Sequence, residues 1–389
     1  MIVIKDKKDC CGCQACLQCC PEKAISFIDD YEGFSYPEVN MDTCINCNLC
    51  ETVCPILNQL DERQPQKVYA SINKDENIRI KSSSGGLFSL LAEKILDDGG
   101  VVFGARFDDN WNVIHDFIED KDKLYLFQGS KYVQSYIGNA FIQAKSFLNV
   151  GRKVLFSGTP CQIRGLKLFL KNDFDNLFTI DVICHGVPSP LVWKRYLDEK
   201  LIKKRSSNNY TIQNILFRDK RSGWDQFSFT IYGNNKKHDT TLYTSILWND
   251  PYMRGFLQNL YLRPSCYACT SKSFKSGSDI SLADYWGIQN VIPKFNDNKG
   301  VSLILILSKK GEILFSDINA DSIETKYHDA LKGNTTITNS VDINPNRDIF
   351  FMSLRKSNKT ESIINKYSKL HIRTRIKLFF KKILIKPKV

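Results

Sequence analysis

Two cysteine runs of identical spacing dominate the start of this 389-residue chain. Each has the form C-x2-C-x2-C-x3-C-P, and the runs begin at Cys10 and Cys44. Short spacings let three thiolates reach one cluster from a tight loop, and the fourth Cys of such a run ligates the other cluster. The sequence therefore predicts two [4Fe–4S] clusters. We assign the ligands as Cys10, Cys13, Cys16 and Cys54 for one cluster, and Cys44, Cys47, Cys50 and Cys20 for the second.

A pair of zinc sites is the alternative interpretation of these cysteines. Structural zinc usually joins two C-x2-C hooks that lie far apart, whereas here four cysteines and a proline fall in each run. The spacing therefore favours clusters over zinc. Cys11 and Cys19 lie outside the pattern, and we expect them to be packed in the core.

The segment between the two runs predicts a β-hairpin, with one strand over 24–29 and the other over 33–39. We therefore expect an α+β ferredoxin-like two-cluster domain over residues 1–57. Residues 58–67 are polar and include a proline, which is typical of a linker.

Bulk properties exclude several classes of protein. No apolar run approaches the roughly 18 residues that a membrane-spanning helix needs. Fourteen cysteines without a secretory signal favour metal or redox chemistry in a reducing compartment, so we expect a cytoplasmic protein. The net charge is +12, but residues 369–389 contribute eight Lys or Arg and no acid, so overall basicity is weak evidence for nucleic-acid binding.

A second, α/β domain is predicted over residues 66–345. A strand over 68–72 leads to a Ser/Gly loop at 82–86, then to a helical apolar pattern ending near residue 96 and a strand over 101–107. A Ser/Gly loop that opens a helix is a ready anion site, because free N–H groups and the positive helix end point at the ligand. The alternative is an ordinary Ser N-cap followed by a Gly turn.

A βαβ pattern follows, with strands over 153–157 and 177–183 and a helix over 162–171. A right-handed crossover makes these strands parallel, so Cys161 and Cys184 should emerge at the same carboxyl edge of the sheet. Together with Cys266 and Cys269 they predict a third [4Fe–4S] cluster. Structural zinc, a redox-active Cys pair and inert thiols remain alternatives. His185 is either a proton donor or a structural group.

Several motifs resemble the family of beta subunits of coenzyme F420 hydrogenases and dehydrogenases, in a form fused to an N-terminal ferredoxin domain. The resemblance covers about residues 68–290. The matching stretches are Ser82-Ser-Ser-Gly-Gly-Leu-Phe, Gly129-Ser-Lys-Tyr-Val-Gln-Ser, Gly158-Thr-Pro-Cys-Gln, Cys184-His-Gly-Val-Pro-Ser-Pro, Arg263-Pro-Ser-Cys-Tyr-Ala-Cys and Ser278-Asp-Ile-Ser-Leu-Ala-Asp-Tyr-Trp-Gly.

The resemblance implies FAD beside the clusters, with two-electron chemistry at the flavin fed by one-electron carriers. It implies flavin contacts from Ser82, Ser83, Ser84, Gly85, Gly86, Ser130, Lys131, Gln134 and Thr159. Lys131 by the flavin ring could stabilise negative charge on the reduced form; the alternative is a solvated charge at a strand end. The candidate catalytic residues are Cys161, Cys184, His185 and Lys131.

The C-terminal region, residues 350–389, is predicted to be a basic helical tail, with an amphipathic pattern over 363–386. Contact with the inner face of a membrane is one interpretation. Packing on the domain or on a partner protein is another. Nucleic-acid binding is the weakest, because the chain has no recognised nucleic-acid fold.

Three functions compete at this stage. The first is an FAD and iron–sulfur oxidoreductase in bacterial surface-polysaccharide synthesis, which takes electrons from a donor protein or reduced cofactor and acts on a small-molecule or saccharide substrate. The second is a non-catalytic electron-transfer subunit that feeds a separate reductase. The third is a cluster-based redox sensor, which ranks last because no helix-turn-helix is apparent. The fold alone cannot name the substrate.

Overall fold

The structure is a computed structural model that describes residues 1–205, 210–234 and 239–369. The predicted hairpin is confirmed, with β1 (Ile25–Asp29) antiparallel to β2 (Ser35–Val39). Two short helices, α1 (Ala15–Cys19) and α2 (Leu49–Thr52), each follow the second cysteine of a run. Both begin after a left-handed residue, Gln14 at φ 59° and Asn48 at φ 60°. The two runs therefore repeat in local conformation as well as in spacing.

The remaining described chain contains eleven strands and ten α-helices. The strands are β3 (Lys67–Asn73), β4 (Val101–Phe107), β5 (Val113–Ile118), β6 (Val154–Gly158), β7 (Leu177–Val182), β8 (Thr211–Asp219), β9 (Ser228–Asn234), β10 (Asp239–Ile246), β11 (Ile280–Asp284), β12 (Ser302–Ile306) and β13 (Ala320–Glu324). The helices are α3 (Glu76–Lys81), α4 (Leu87–Asp97), α5 (Ala140–Asn149), α6 (Pro160–Leu170), α7 (Pro190–Arg205), α8 (Pro251–Leu257), α9 (Lys309–Ser316), α10 (Tyr327–Gly333), α11 (Arg347–Lys356) and α12 (Thr360–Tyr367).

Eight strands form the main sheet, in the order β13-β3-β12-β11-β7-β6-β4-β5. The central pairs β11/β7, β7/β6 and β6/β4 are parallel, and the outer pairs are antiparallel. Central strands read as continuous apolar runs because helices cover both faces. The predicted parallel βαβ unit is therefore confirmed.

Alternate residues of the central strands enter two different cores, as strand geometry requires. On one face, Phe103 and Phe156 pack with Phe141 of α5 and Ile163 of α6. On the other face, Leu155 packs with residues of α4. The ferredoxin module lies on the first face, where Ile2, Cys13 and Val53 share the core of α5 and α6. The ferredoxin module thus shares a hydrophobic core with the α/β domain.

A separate antiparallel sheet, β10-β9-β8, forms a core of its own with α7, α8, α11 and α12. Buried residues of this core include Phe350, Leu354 and Ile364. The predicted basic helix begins within α12, and its part beyond residue 369 lies outside the described residues. In the described part of the chain, no helix combines the length and apolarity needed to cross a bilayer.

Candidate functional site

The inner site is the group formed by Cys10, Cys13, Cys16 and Cys54. Burial raises the pKa of Cys16, and the neighbouring thiolates of Cys10 and Cys54 raise it further. Cys13 and Cys16 also lie in one core, with Cys54 packed against it. The structure therefore brings together the four cysteines that the spacing assigns to one cluster, three from the first run and one from the second.

The outer site is the group formed by Cys20, Cys44, Cys47 and Cys50. All four line one pocket, which encloses about 370 Å³ of space free of protein atoms. The backbone N–H groups of Ile2 and Ala24 donate to the sulfurs of Cys50 and Cys20, at 3.2 and 3.3 Å. Such N–H···S bonds favour the thiolate, the form that ligates iron. Cys47 is exposed, so this site reaches the surface.

The third site is the group formed by Cys161, Cys184, Cys266 and Cys269. Cys161 lies in the first turn of α6, directly after β6, and Cys184 follows β7. The segment after Cys184 pairs with the segment before Cys266, since Arg263 N donates to the carbonyl of Val187 at 3.0 Å. The carboxyl edge of the parallel strands and this pairing together bring the four cysteines to one place.

All four third-site cysteines line a single pocket with about 590 Å³ of atom-free space, which opens to solvent. Cys11 lines the same pocket, and its thiol lies next to that of Cys161 and raises the pKa of Cys161. The hydroxyl of Thr270 is buried without a hydrogen-bond partner, and Thr270 also lines this pocket. Within the described residues, no three Cys, His, Asp or Glu side chains converge closely enough to hold a single metal ion. The thiols instead surround a wider space.

The donor set of the third site suits an iron–sulfur cluster. Four thiols match the ligand number of a [4Fe–4S] cluster, and an orphaned hydroxyl matches the hydrogen bonds that cluster sulfurs accept. Burial raises the pKa of Cys184 to about 12 and raises that of Cys266 as well. These thiols are therefore protonated in the metal-free protein, and metal loading must release their protons.

Helix α6 connects the third site with the inner site. Cys161 contacts Cys11 from the first turn of α6, while a Cβ on Gly165 would lie 3.0 Å from the sulfur of Cys13. Residues four apart share a helix face and are separated by about 6 Å along the axis. The two sites are therefore separated by about one helical turn, measured along α6.

The Ser/Gly loop at 82–86 divides into two parts. The Ser84 hydroxyl donates to the carbonyl of Val301 and Gly85 N donates to the hydroxyl of Ser302. Gly86 is the N-cap of α4 at φ 85°, so the alternative Ser N-cap interpretation is wrong. Ser82 bonds back to the carbonyl of Ile78. Most of the loop therefore packs against its own domain.

Ser83 is the member of the loop that faces outward. Its hydroxyl accepts from the backbone N–H and the hydroxyl of Ser130, at 2.7 and 2.9 Å. Both serines and Lys131 line an open groove with about 3350 Å³ of atom-free space. The ammonium of Lys131 turns inward onto the carbonyls of Leu126 and Gln128, so it is not the solvated charge of the alternative interpretation.

Other predicted flavin contacts lie at the third site. Gln134 and Thr159 line the third-site pocket, and His185 lies there as well. His185 Nε2 lies 2.6 Å from Oδ1 of Asn259, and burial lowers the pKa of this histidine. The predicted flavin residues that line a cavity therefore occupy two places: Gln134 and Thr159 line the third-site pocket, and Ser83, Ser130 and Lys131 line the groove.

Two protein-family models match this chain. Residues 151–330 match the C terminus of the coenzyme F420 hydrogenase/dehydrogenase beta subunit, and residues 9–57 match a 4Fe-4S dicluster domain. We call residues 151–330, which match the first of these models, the beta-subunit domain. The resemblance inferred from the sequence motifs is thereby confirmed, and so is an N-terminal 4Fe-4S dicluster domain.

The chain is also similar to curated and solved proteins. One of the subunits of the F(420)H(2) dehydrogenase of Methanosarcina mazei is 22% identical over 172 residues, which are 42% of this chain and 49% of that protein. An uncharacterized polyferredoxin-like protein of Methanocaldococcus jannaschii is 33% identical over 64 residues, which are 14% of this chain and 38% of that protein. The chain thus spans half or less of the length of either relative.

Among solved structures, a chain of the F420-reducing [NiFe] hydrogenase complex from Methanosarcina barkeri is similar to this one. The identity is 14% and the TM-score is 0.46, with 79% of this chain and 91% of that chain covered.

Sequence reasoning missed several residues of the beta-subunit domain that surround the third site. Arg263, Thr270 and Lys272 were not singled out, although Arg263 stands in the quoted motif before Cys266. Lys272 donates to the carbonyl of Cys184 at 2.7 Å and so fixes the backbone of that ligand candidate. Cys11 packs against the core as expected, and it also lines the third-site pocket. Proximity of Arg263 and Thr270 to cluster cysteines in sequence was the available signal.

Proposed function

We propose that this chain is an iron–sulfur oxidoreductase subunit. It moves electrons singly from the outer site through the inner site to a third [4Fe–4S] cluster, and from there to FAD bound in the beta-subunit domain. The single observation that carries the proposal is the face of α6 on which Cys161 contacts Cys11 and Gly165 abuts Cys13. A separation of about one helical turn lets an electron tunnel directly between the two centres.

Different residues of the chain serve different steps of this electron transfer. The outer site contributes the exposed Cys47, so an electron donor can approach it from solvent. The third site contributes four thiolates, with Val187 N donating to the sulfur of Cys266 at 3.4 Å. Clusters supply one-electron steps and a flavin supplies the conversion to two-electron chemistry. Cys10, Cys13 and Cys16 of the inner site are buried, whereas Cys47 of the outer site is exposed, so the electron passes from the surface to a buried centre in its first step.

The segment 130–134 supports a flavin that spans the groove and the third-site pocket. Ser130 and Lys131 face the groove, and Gln134 lines the pocket four residues later. A chain of four residues extends at most about 14 Å. A dinucleotide lying along this segment can therefore place its phosphates by Ser83 and Ser130 and its ring toward the third site.

For the substrate we propose an oxidised saccharide or saccharide-linked compound of bacterial surface-polysaccharide synthesis. The groove supports an organic substrate of this size, because aromatic side chains line it among polar groups. These include Trp111, Tyr125, Tyr210 and Tyr232. A donor protein or reduced cofactor would supply the electrons at the outer site.

Anaerobic purification with iron, acid-labile sulfide, zinc and flavin measured per chain tests the proposal. Three clusters correspond to about twelve irons per chain, with one FAD. Cys269→Ser should lower the iron content to about eight, because Cys269 belongs to the third site alone. Cys19→Ser is the matched control and should keep all the iron, since Cys19 belongs to none of the three sites.

Other results would overturn parts of the proposal. About eight irons with one zinc would assign zinc to the third site. The same iron content without zinc and without flavin would leave a two-cluster carrier. A flavin that is reduced but finds an acceptor only when a partner protein is added would favour the non-catalytic electron-transfer subunit.

A further inference from the structure

Arg263 differs from the other buried arginines in the partner of its charge. Four arginines are buried in the described part of the chain, and three of them pair with a carboxylate. Arg79 pairs with Asp297 at 2.6 Å, Arg347 pairs with Glu32 at 2.5 Å, and Arg218 pairs with Asp284. Arg263 is 0% exposed and forms no ion pair with any carboxylate of the described residues.

A buried guanidinium without a counter-ion is costly, so its surroundings should contain an anion. The Arg263 side chain points at the inner site. Its Nε donates to the carbonyl of Cys10 at 2.7 Å, and its Nη2 lies 3.5 Å from the sulfur of Cys10. The remaining contacts are neutral: the carbonyl of Ser35, the amide oxygen of Gln134, and the ring of Tyr36 at 4.4 Å.

The backbone of the same residue serves the third site. Cys266 N donates to the carbonyl of Arg263 at 2.9 Å, and the short helix that begins at Pro264 carries Cys266. Arg263 therefore lies between the two centres, with its charge toward the inner site and its backbone toward the third.

We propose that Arg263 is the built-in counter-ion of the inner cluster, and that it sets the reduction potential of that cluster above the value the same ligands would give without it. A thiolate-ligated [4Fe–4S] cluster is net negative and becomes more negative when it takes up one electron. A fixed positive charge held away from water therefore favours the reduced form, and it also donates to a ligand sulfur. The electron comes from the reduced outer cluster, and no bond forms or breaks.

The direction of flow follows from this arrangement. The outer site has Cys47 exposed, and water screens its charge. The inner site has a buried cation instead. The inner cluster therefore becomes the favoured place for the electron, next to the third site. This inference rests on the ligand assignment of the proposed function, but not on a cluster or a flavin at the third site.

A redox titration of the full, cluster-loaded chain, followed by electron paramagnetic resonance with dithionite as the donor, tests it. Cys47→Ser alters the outer cluster and Cys269→Ser removes the third, so the signal that neither variant changes belongs to the inner cluster. Arg263→Gln keeps a donor and removes the charge, and should lower the equilibrium constant for inner-cluster reduction at least tenfold, about 59 mV for one electron. Arg263→Lys keeps the charge and should restore most of the loss. The outer-cluster potential should not move in either variant.

Arg79→Gln is the matched control, because it removes a buried guanidinium that has a carboxylate partner elsewhere; both potentials should stay unchanged. If Arg263→Gln loses its iron, Gln134→Glu provides the test instead. It places a carboxylate beside Nη1 of Arg263, and it should lower the reduction potential of the inner cluster although the guanidinium is still present. An unchanged inner potential in an iron-replete Arg263→Gln or Gln134→Glu protein overturns the proposal. Iron content is measured separately, so failure at the third site remains distinguishable.

Discussion

Lys131 places its ammonium group inside the protein, where it donates to the carbonyls of Leu126 and Gln128, both at 2.9 Å. Burial lowers the pKa of Lys131 to about 7. Lys220 is in a similar position: it donates to the carbonyls of Arg79, Ser84 and Lys299, and burial lowers its pKa to about 7 too. The two lysines therefore hold loops beside the groove with ammonium groups that lose their proton near neutral pH.

Lys131→Met should change how stability depends on pH. The folded-state pKa lies below the unfolded value of about 10.4, so the unfolded chain binds more protons between these values. The stability of the unmutated protein should therefore rise, relative to the variant, as pH increases from about 7 to about 10, by at most about 1.4 kcal/mol per pH unit. Apparent melting temperatures at several pH values measure this. Lys309→Met, at an exposed lysine, is the control; equal pH profiles for the two variants would contradict the prediction.

At the scale of elements, the N-terminus of α6 fixes Cys161. Thr159 is the N-cap of this helix, and Gln162 is the N3 residue of its capping box: Gln162 Oε1 accepts from the backbone N–H of Thr159 at 2.9 Å. Its Nε2 donates to Ser135, which in turn contacts Nδ1 of His115 at 2.9 Å. Burial lowers the pKa of His115 to about 4, so this imidazole stays neutral and completes the network. One side chain thus ties the helix start to the strand and segment beside it.

Gln162→Leu should destabilise the protein, because it removes the N3 half of the capping box and leaves Ser135 without its donor. Gln162→Glu keeps an acceptor for Thr159 N and should recover part of the loss. The measurements are the apparent melting temperature and the rate of iron loss. Each is made for the Gln162 variants in the unmutated protein and in the Cys269→Ser protein. Gln162→Leu should speed iron loss when it is made in the unmutated protein, which has a third site, and not when it is made in Cys269→Ser. An equal increase in the rate of iron loss in both proteins would place the defect at another site.

At the scale of the whole molecule, a buried ion pair joins the dicluster module to helix α11. Arg347 of α11 binds both carboxylate oxygens of Glu32, at 2.9 and 2.5 Å. Ser189 donates to the carbonyl of Glu32, and Arg63 donates to the carbonyls of Phe274 and Ser278. The segment predicted as a linker is thus tied down, and the cluster sites are held at fixed positions relative to each other.

Glu32→Gln should loosen this junction, since removal of one partner of a buried ion pair costs about 3–5 kcal/mol. Protease cleavage within 58–66 and backbone hydrogen exchange in α11 should both increase. Lys309→Ala breaks an exposed pair with Glu312 and should leave stability nearly unchanged, because water screens the pair. The double change Glu32→Leu with Arg347→Met should restore much of the loss, because no charge is then buried alone. Matching cleavage rates in Glu32→Gln and Lys309→Ala would contradict the role assigned to the pair.

The sequence by itself determined the features that depend on spacing and local pattern. The two Cys-Pro runs predicted the dicluster domain and the partners of the inner and outer sites, because ligand spacing reflects the geometry of the metal cluster directly. The strands around Cys161 and Cys184 were predictable for a related reason: apolar runs flanking a helix indicate a parallel βαβ unit, whose carboxyl edge gathers both thiols.

Only the tertiary structure decided which residues face which centre. It brought Cys266 and Cys269 to the other two thiols through the pairing of the segments around Val187 and Arg263, and it turned Arg263 toward Cys10 across 253 residues of sequence. It also separated Ser83 from the rest of its loop. Contacts of this kind depend on the packing of elements distant in sequence, and no local spacing or periodicity encodes which side chain will be buried against which partner.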